Sequence, residues 1–289
     1  MPESPRPQPD APNAIASGAA RAKADQVPGR LAGAKVVAFD LDGTLADSKS
    51  PITGRIAALL LKLLTEVEVC IISGGGYAQL CTQVLAQLEV LTPGQAALAR
   101  LHLMPTCGTR YYRYTQGAWH QVYAHDMSEQ AKERVTAILT QGAKSLGLFE
   151  PEHWGDLVED RGSQITFSAL GQNAPTSAKK AWDPDGSKRE RLRAYAAERL
   201  PDLEVRTGGS TSLDVTGKGI DKAYGIRGLM YALDLRVSDL LFIGDRLEPG
   251  GNDFPVKAMG VRCIAVTCWQ ETADCLDGLL AGLTPPLAR

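Results

Sequence analysis

Short apolar runs alternate with amphipathic stretches through the first hundred residues. Lys35–Phe39 (KVVAF) is apolar on both faces and ends in Asp40, the pattern of a strand buried in a parallel sheet. Ile52 to Leu64 repeats apolar residues at helical spacing. Val67 to Ile72 reads as a second buried strand, and after Ser73-Gly74-Gly75-Gly76 the stretch Tyr77 to Val90 resumes as a helix. Strand, helix, strand, helix predicts an α/β fold with a doubly wound, mainly parallel, Rossmann-like sheet.

From about Tyr111 the rhythm changes. Tyr111–Tyr114 and Trp119–Tyr123 flank Thr115-Gln116-Gly117 and predict a hairpin whose aromatics pack across the strands. Ser128 to Leu146 reads as a long amphipathic helix. Gln164 to Ala169 alternates polar and apolar residues, which predicts a half-exposed antiparallel strand. The polar, Pro-containing stretch Asn173 to Ser187 reads as a loop. Lys188 to Leu200 reads as a charged, solvated helix, and Leu203–Thr207 and Thr211–Val215 as strands around Gly208-Gly209. After Gly217 the first rhythm returns: a helix from Asp221, a strand Leu240–Gly244, a helix near Asp253, a strand Val261–Val266 and a terminal helix. These patterns divide the chain into a disordered tail (1–34), an α/β core (35–122 and 217–289) and an inserted α+β domain (123–216).

Composition narrows the function classes. The 289 residues carry 31 Lys+Arg and 33 Asp+Glu, a formal charge of −2, with 44% hydrophobic residues. That balance excludes a disordered chain, a collagen-like repeat and a disulfide miniprotein, and argues against a nucleic-acid binder. The apolar runs are too short to span a membrane. Six cysteines without CxxC spacing point away from zinc or disulfides and toward a reducing cytoplasm. Cys70 and Cys263 are expected within buried strands.

The chemistry concentrates in Asp40-Leu41-Asp42-Gly43-Thr44-Leu45. In open α/β sheets, ligands bind beyond the carboxyl ends of strands at a switch in strand order, and Asp40 stands at such an end. Two carboxylates this close repel unless a cation or a proton intervenes. Leu240–Gly244 runs into Asp245, and Pro249-Gly250-Gly251 delivers Asn252 and Asp253. These oxygen donors, without His or Cys, suit Mg²⁺ rather than zinc. Ser73 and the glycines after it offer a hydroxyl and backbone N–H groups to an anion. Lys222, in the first turn of a helix where acids are usual, is expected to serve an anion or the carboxylates, with Lys218 a looser candidate. Such a set can transfer phosphate: Asp40 as nucleophile, Asp42 as general acid and base, Ser73 and Lys222 on the phosphate oxygens, and Asp40, Asp42, Asp245, Asn252 and Asp253 around the metal.

DLDGTL, Ser73, Lys222 and GDRLEPGGND (Gly244 to Asp253) together resemble the four motifs of the haloacid dehalogenase (HAD) superfamily. An insertion between the second and third motifs is the position of its C2-type cap. PGGND, and the block from Gly208 to Val215 leading into Lys218-Gly219-Ile220-Asp221-Lys222, resemble the eukaryotic-type phosphomannomutases more narrowly. That resemblance implies a cap that binds a sugar and its distal phosphate, through Arg161, Ser212 and Asp214. Gln172 occupies the position of a second binding Arg, and a third falls near Lys179 or Lys180. Gln lacks the charged fork of Arg, and a mutase must hold both phosphates of a bisphosphate intermediate. The sequence therefore leads to a Mg²⁺-dependent phosphatase of hexose phosphates. The alternative is a phosphomannomutase with the same phosphoenzyme, and a non-catalytic sugar-phosphate-binding protein is a third reading. The expected partner is a small phosphorylated substrate, with a homodimer left open.

Overall fold

The computed structural model describes residues 31, 33–91 and 96–282. The first strand, β1, is Val36–Phe39, and helix α1 follows over Gly54–Glu66. The Thr53 hydroxyl caps α1 by accepting from the Ile56 N–H. Strand β2 is Glu68–Ile72, and Tyr77–Leu80, Cys81–Leu85 and Ala86–Leu91 continue as one helix, α2, whose middle turn is a π-helix. Strand β3, Leu101–Met104, was not legible in the sequence. It is only four residues long and follows a 3₁₀ turn whose apolar residues blur its start.

Strands β4 (Arg110–Thr115) and β5 (Ala118–Ala124) form the expected hairpin, with positive φ at Gln116 and Gly117. Tyr114 and Trp119 pack edge to face across it, with ring centroids 5.6 Å apart. The hairpin continues the large sheet beyond β3 in antiparallel fashion. Strands β10 (Leu240–Gly244) and β11 (Arg262–Ala265) complete that sheet on the other side, in the order β11-β10-β1-β2-β3-β4-β5. Because β1 pairs in parallel with both β2 and β10, the strand order switches direction between β1 and β10. Apolar cores cover both faces of the sheet. Cys263, expected in a buried strand, is only half-buried because β11 is the edge strand.

The intervening segment has its own sheet and core. Helix α3 (Glu129–Ser145) starts at the Ser128 cap. Strands β6 (Val158–Asp160), β7 (Gln164–Ser168), β8 (Leu203–Thr207) and β9 (Ser212–Gly217) form an antiparallel sheet in the order β6-β7-β9-β8. Ile165, Phe167, Leu213 and Val215 bury one face of it beneath α3 and a second helix, α5 (Ser187–Arg199). Two expectations fail here. The stretch Asn173 to Ser187 is not all loop: Thr176–Trp182 forms helix α4, anchored where Trp182 donates to Glu150. Strand β7 is not half-exposed either. Gln164, Thr166 and Ser168 are all buried, because the polar face of this sheet lies against the loop that follows β2, where Gln164 reaches the Gly74 carbonyl.

Helix α6 (Lys222–Leu233) follows β9, capped by Asp221. Helices α7 (Phe254–Ala258) and α8 (Trp269–Ala281) flank β11. The six thiols are free, and no helix of the described residues is long and apolar enough to cross a membrane. The expected disordered tail (1–34) falls largely outside the described residues.

Candidate active site

The site forms where β1 and β10 end side by side. Phe39 pairs with Ile243, and Asp40 continues the ladder by donating its N–H to the Ile243 carbonyl at 3.0 Å. Asp245, directly after β10, then stands beside Asp40. Gly43 is needed here: its φ is +88°, and a Cβ would lie 2.5 Å from Asp245 Oδ2. Asp253 enters from the loop after β10, held by hydrogen bonds in both directions with the Arg246 backbone. Oxygen atoms of Asp40, Asp245 and Asp253 all lie within 4.8 Å of one another.

Lys222 reaches into this group from the first turn of α6. Its Nζ lies 2.5 Å from Asp40 Oδ1 and 2.6 Å from Asp253 Oδ1, with the side chain 1% exposed. Burial opposes the ammonium charge, but Asp40 and then Asp253 overcome it and hold the lysine above its usual range. Asp40 is pushed up above the usual carboxylate range, chiefly by burial. Lys222 pulls it back, while Asp253 and Asp245 push further. Asp245 is also raised, by burial first and by Asp253 second. Three carboxylates against one ammonium leave two uncompensated negative charges if all are ionised, and Asp245 Oδ1 is buried without a hydrogen-bond partner. That set of hard oxygen donors fits a divalent cation such as Mg²⁺.

The other expected residues separate into groups. Ser73 is buried at the end of β2, where its Oγ accepts from the Gly75 N–H at 3.0 Å. The Asp42 carboxylate is not in the acidic cluster. It accepts from the Lys49 N–H at 2.7 Å and from the side chains of Gln79 and Gln83. Asn252 is exposed, at the tip of its loop. Both were expected among the metal ligands; the structure commits one carboxylate elsewhere and turns the other residue to solvent.

Across the cleft, Arg161 donates from Nη1 to the Gly74 carbonyl at 3.0 Å and from Nη2 to Glu159 at 2.7 Å, while its Nε is buried and unpartnered. Gln164 reaches the same Gly74 carbonyl at 3.4 Å and also donates to Asp214 Oδ1 at 2.9 Å. Thr166 donates to Asp214 Oδ1 at 2.6 Å, consistent with the pairing of Thr166 opposite Asp214 in the β7–β9 ladder. Burial raises Asp214 above the usual carboxylate range, against the pull of Arg161. Ser212 stands two residues before Asp214 on the same face. Gln172 has a buried, unpartnered Nε2, and its carbonyl accepts from Lys179 Nζ at 3.0 Å. Burial, then the charge of Lys49, depresses the lysine at 179. Lys49, Gln79, Gln83, Gln164 and Thr166 were not singled out from sequence. Of these, Gln164 and Thr166 had a usable signal in the alternation of β7.

The sequence profile of the eukaryotic phosphomannomutase family matches residues 56–280. The chain belongs to that family. The match begins after Asp40–Leu45, so the first acidic motif stands on its own residues and geometry. Phosphomannomutase 1 of Mus musculus is 26% identical over 227 residues, covering 76% of this chain and 82% of the mouse protein. The Saccharomyces cerevisiae phosphomannomutase is 25% identical over 227 residues, covering 76% and 84%. Among solved structures, a haloacid dehalogenase-like hydrolase from Bacteroides thetaiotaomicron aligns with a TM-score of 0.59 at 15% identity, over 84% of this chain and 98% of that one. An IMP-bound Plasmodium falciparum IMP-nucleotidase gives 0.62 at 15% identity, over 86% and 68%. At such identities these two speak for the fold alone. Family and fold together make this phosphomannomutase-like chain a HAD phosphoryl-transfer enzyme.

Proposed function

We propose that this enzyme moves a phosphoryl group between positions of a hexose phosphate, as a mutase of the phosphomannomutase type, through an aspartyl-phosphate on Asp40. The observation that carries this reading is the convergence of the buried Asp40, Asp253 and Lys222 with the half-buried Asp245 at the β1–β10 switch, in a chain whose relatives are phosphomannomutases. The sequence alone ranked a phosphatase first; the relatives favour the mutase.

Lys222 fixes the rotamer of Asp40, whose free carboxylate oxygen attacks phosphorus. The P–O bond to the sugar breaks as the O–P bond to Asp40 forms, and Asp42 gives its proton to the departing sugar oxygen. In the return half, a hydroxyl of the sugar gives its proton to Asp42 and takes the phosphoryl group from Asp40. Ser73 and the N–H groups of its loop hold the phosphate oxygens. Asp40, Asp245 and Asp253 would hold Mg²⁺, which when bound offsets repulsion between the carboxylates and an anionic phosphate. The sheet of residues 123–216 acts as the cap. Arg161, Lys179 and Gln172 face the distal phosphate, and Ser212 and Asp214 face the sugar hydroxyls. Cap closure excludes water, which a mutase requires to avoid hydrolysis.

A specific observation favours hydrolysis as a second reading. Gln172 offers a neutral amide where the resemblance expects Arg, which weakens the grip on a second phosphate. Mannose 1-phosphate incubated with Mg²⁺, with and without a hexose 1,6-bisphosphate, separates the two. The mutase reading expects bisphosphate-stimulated isomerisation faster than phosphate release. Release outrunning isomerisation under both conditions would establish the phosphatase instead.

A further inference from the structure

The Asp42 carboxylate is held by three donors. Its Oδ1 accepts from the Lys49 N–H at 2.7 Å and from Gln83 Nε2 at 3.3 Å, and its Oδ2 accepts from Gln79 Nε2 at 3.1 Å. We propose that Gln83, with Gln79, is a positioning residue that fixes the rotamer from which Asp42 delivers its proton to the leaving oxygen. This rests on Asp42 being the proton donor.

Gln83 is 3% exposed, in the π-turn of α2, and is followed by Val84 and Leu85, which pack into the core. Burying an amide there is costly unless its polar atoms are partnered. All of them are. Nε2 donates to the Ser50 carbonyl at 2.6 Å as well as to Asp42, and Oε1 accepts from Gln79 Nε2 at 2.6 Å. The Gln83 backbone carbonyl accepts from the Ile52 N–H at 2.8 Å. The residue thus ties Asp42, Gln79 and the segment before α1 into one unit. A π-turn rotates the chain less per residue than an α-turn, so Gln83, Val84 and Leu85 can all be buried in succession. Such turns are frequent at functional sites.

Gln79 completes the link. Its amide head lies directly over Gly75, where any Cβ would collide with it. Gln79 therefore spans from the loop that follows Ser73 to the carboxylate of Asp42. Neutral amides suit this task better than cations. An amide has a donor and an acceptor, and so serves a carboxyl group with or without its proton; Lys or Arg serves only the anion.

The test uses leaving groups of different need. The holoenzyme with Mg²⁺ is assayed for kcat/KM on mannose 6-phosphate, whose alkoxide must be protonated to depart, and on p-nitrophenyl phosphate, whose phenolate leaves unaided. Gln83→Leu is expected to lose roughly 30-fold or more on the sugar phosphate, part of the about 10²–10⁴-fold that a positioned acid supplies, and at least about tenfold less on the aryl phosphate. Gln79→Leu, at a half-buried position, is expected to show the same preference and carries the test if Gln83→Leu does not fold. Equal losses on both substrates overturn the positioning role. Asp42→Asn is run alongside. If that variant shows no leaving-group preference, the premise about Asp42 fails, which is distinguishable from failure of the glutamines alone.

Discussion

Lys222 is the residue on which the electrostatics of the site turn. It is the ammonium that compensates Asp40 and Asp253, and all three are buried. Removing one partner of a buried charge cluster leaves the others uncompensated, a loss of about 3–5 kcal/mol where it has been measured. Lys222→Ala is therefore expected to destabilise the protein by roughly 3 kcal/mol near pH 7.5 in urea titrations without metal. The loss should shrink as the pH falls, because Asp40 already takes up a proton more readily than an ordinary carboxylate and without Lys222 will do so more readily still. A loss independent of pH would mean that missing packing, rather than stranded charge, is responsible. By contrast, Arg55 with Asp274 and Asp277 is a surface arrangement, and its removal should change stability little.

At the level of elements, most strands and helices could be read from the chain because each has a clear period or an apolar run. Leu240–Gly244 agrees to the residue, and Asp221 and Ser128 cap helices that begin one residue later. What escaped was short or locally ambiguous. Val158–Asp160 is a three-residue edge strand with two acids, and α4 hides in a polar stretch. DLDGTL and Lys222 could be read because two carboxylates at a strand end and a lysine at a helix start are costly without a purpose. Gln79 and Gln83 carry no such signal: a glutamine in a helix looks solvated until tertiary contacts bury it. His102 on β3 is another case. It is fully buried, with Nδ1 2.6 Å from the Tyr111 hydroxyl and Nε2 2.9 Å from Glu68. Burial holds this imidazole below its usual 6.5, against the pull of Glu68. The unfolded chain therefore takes up the proton first, so the contribution of His102 is complete above 6.5 and is lost as the pH falls through that value. His102→Gln is expected to flatten the dependence of stability on pH between about 7 and 5 in thermal melts. An unchanged slope would assign that dependence to other groups.

For the whole molecule, the central feature is a polar sheet laid over the acidic edge of another. Arg161 and Gln164 both hold the Gly74 carbonyl, so the second sheet grips the loop that follows Ser73 directly. A net charge of −2 gives no hint of this arrangement, in which carboxylates concentrate on one side and Arg161 and Lys179 stand on the other. The balance between mutase and phosphatase chemistry should depend on how firmly this second sheet retains a bisphosphate. Gln172→Arg is expected to raise isomerisation relative to phosphate release by about tenfold, the gain of one charge-assisted, two-pronged contact. An unaltered ratio would remove position 172 from the distal phosphate site. The central claim, a phosphoryl group carried on Asp40, has a more direct test. Rapid acid quench after mixing with Mg²⁺ and phosphate-labelled hexose 1,6-bisphosphate shows whether label is bound to the protein, and borohydride, which reduces an acyl phosphate to an alcohol and releases the phosphate, then marks the acylated residue for peptide mass spectrometry. The account predicts an acyl phosphate on Asp40 alone, absent from a folded Asp40→Asn variant; label on Ser73, or substrate turnover by that variant, would contradict it.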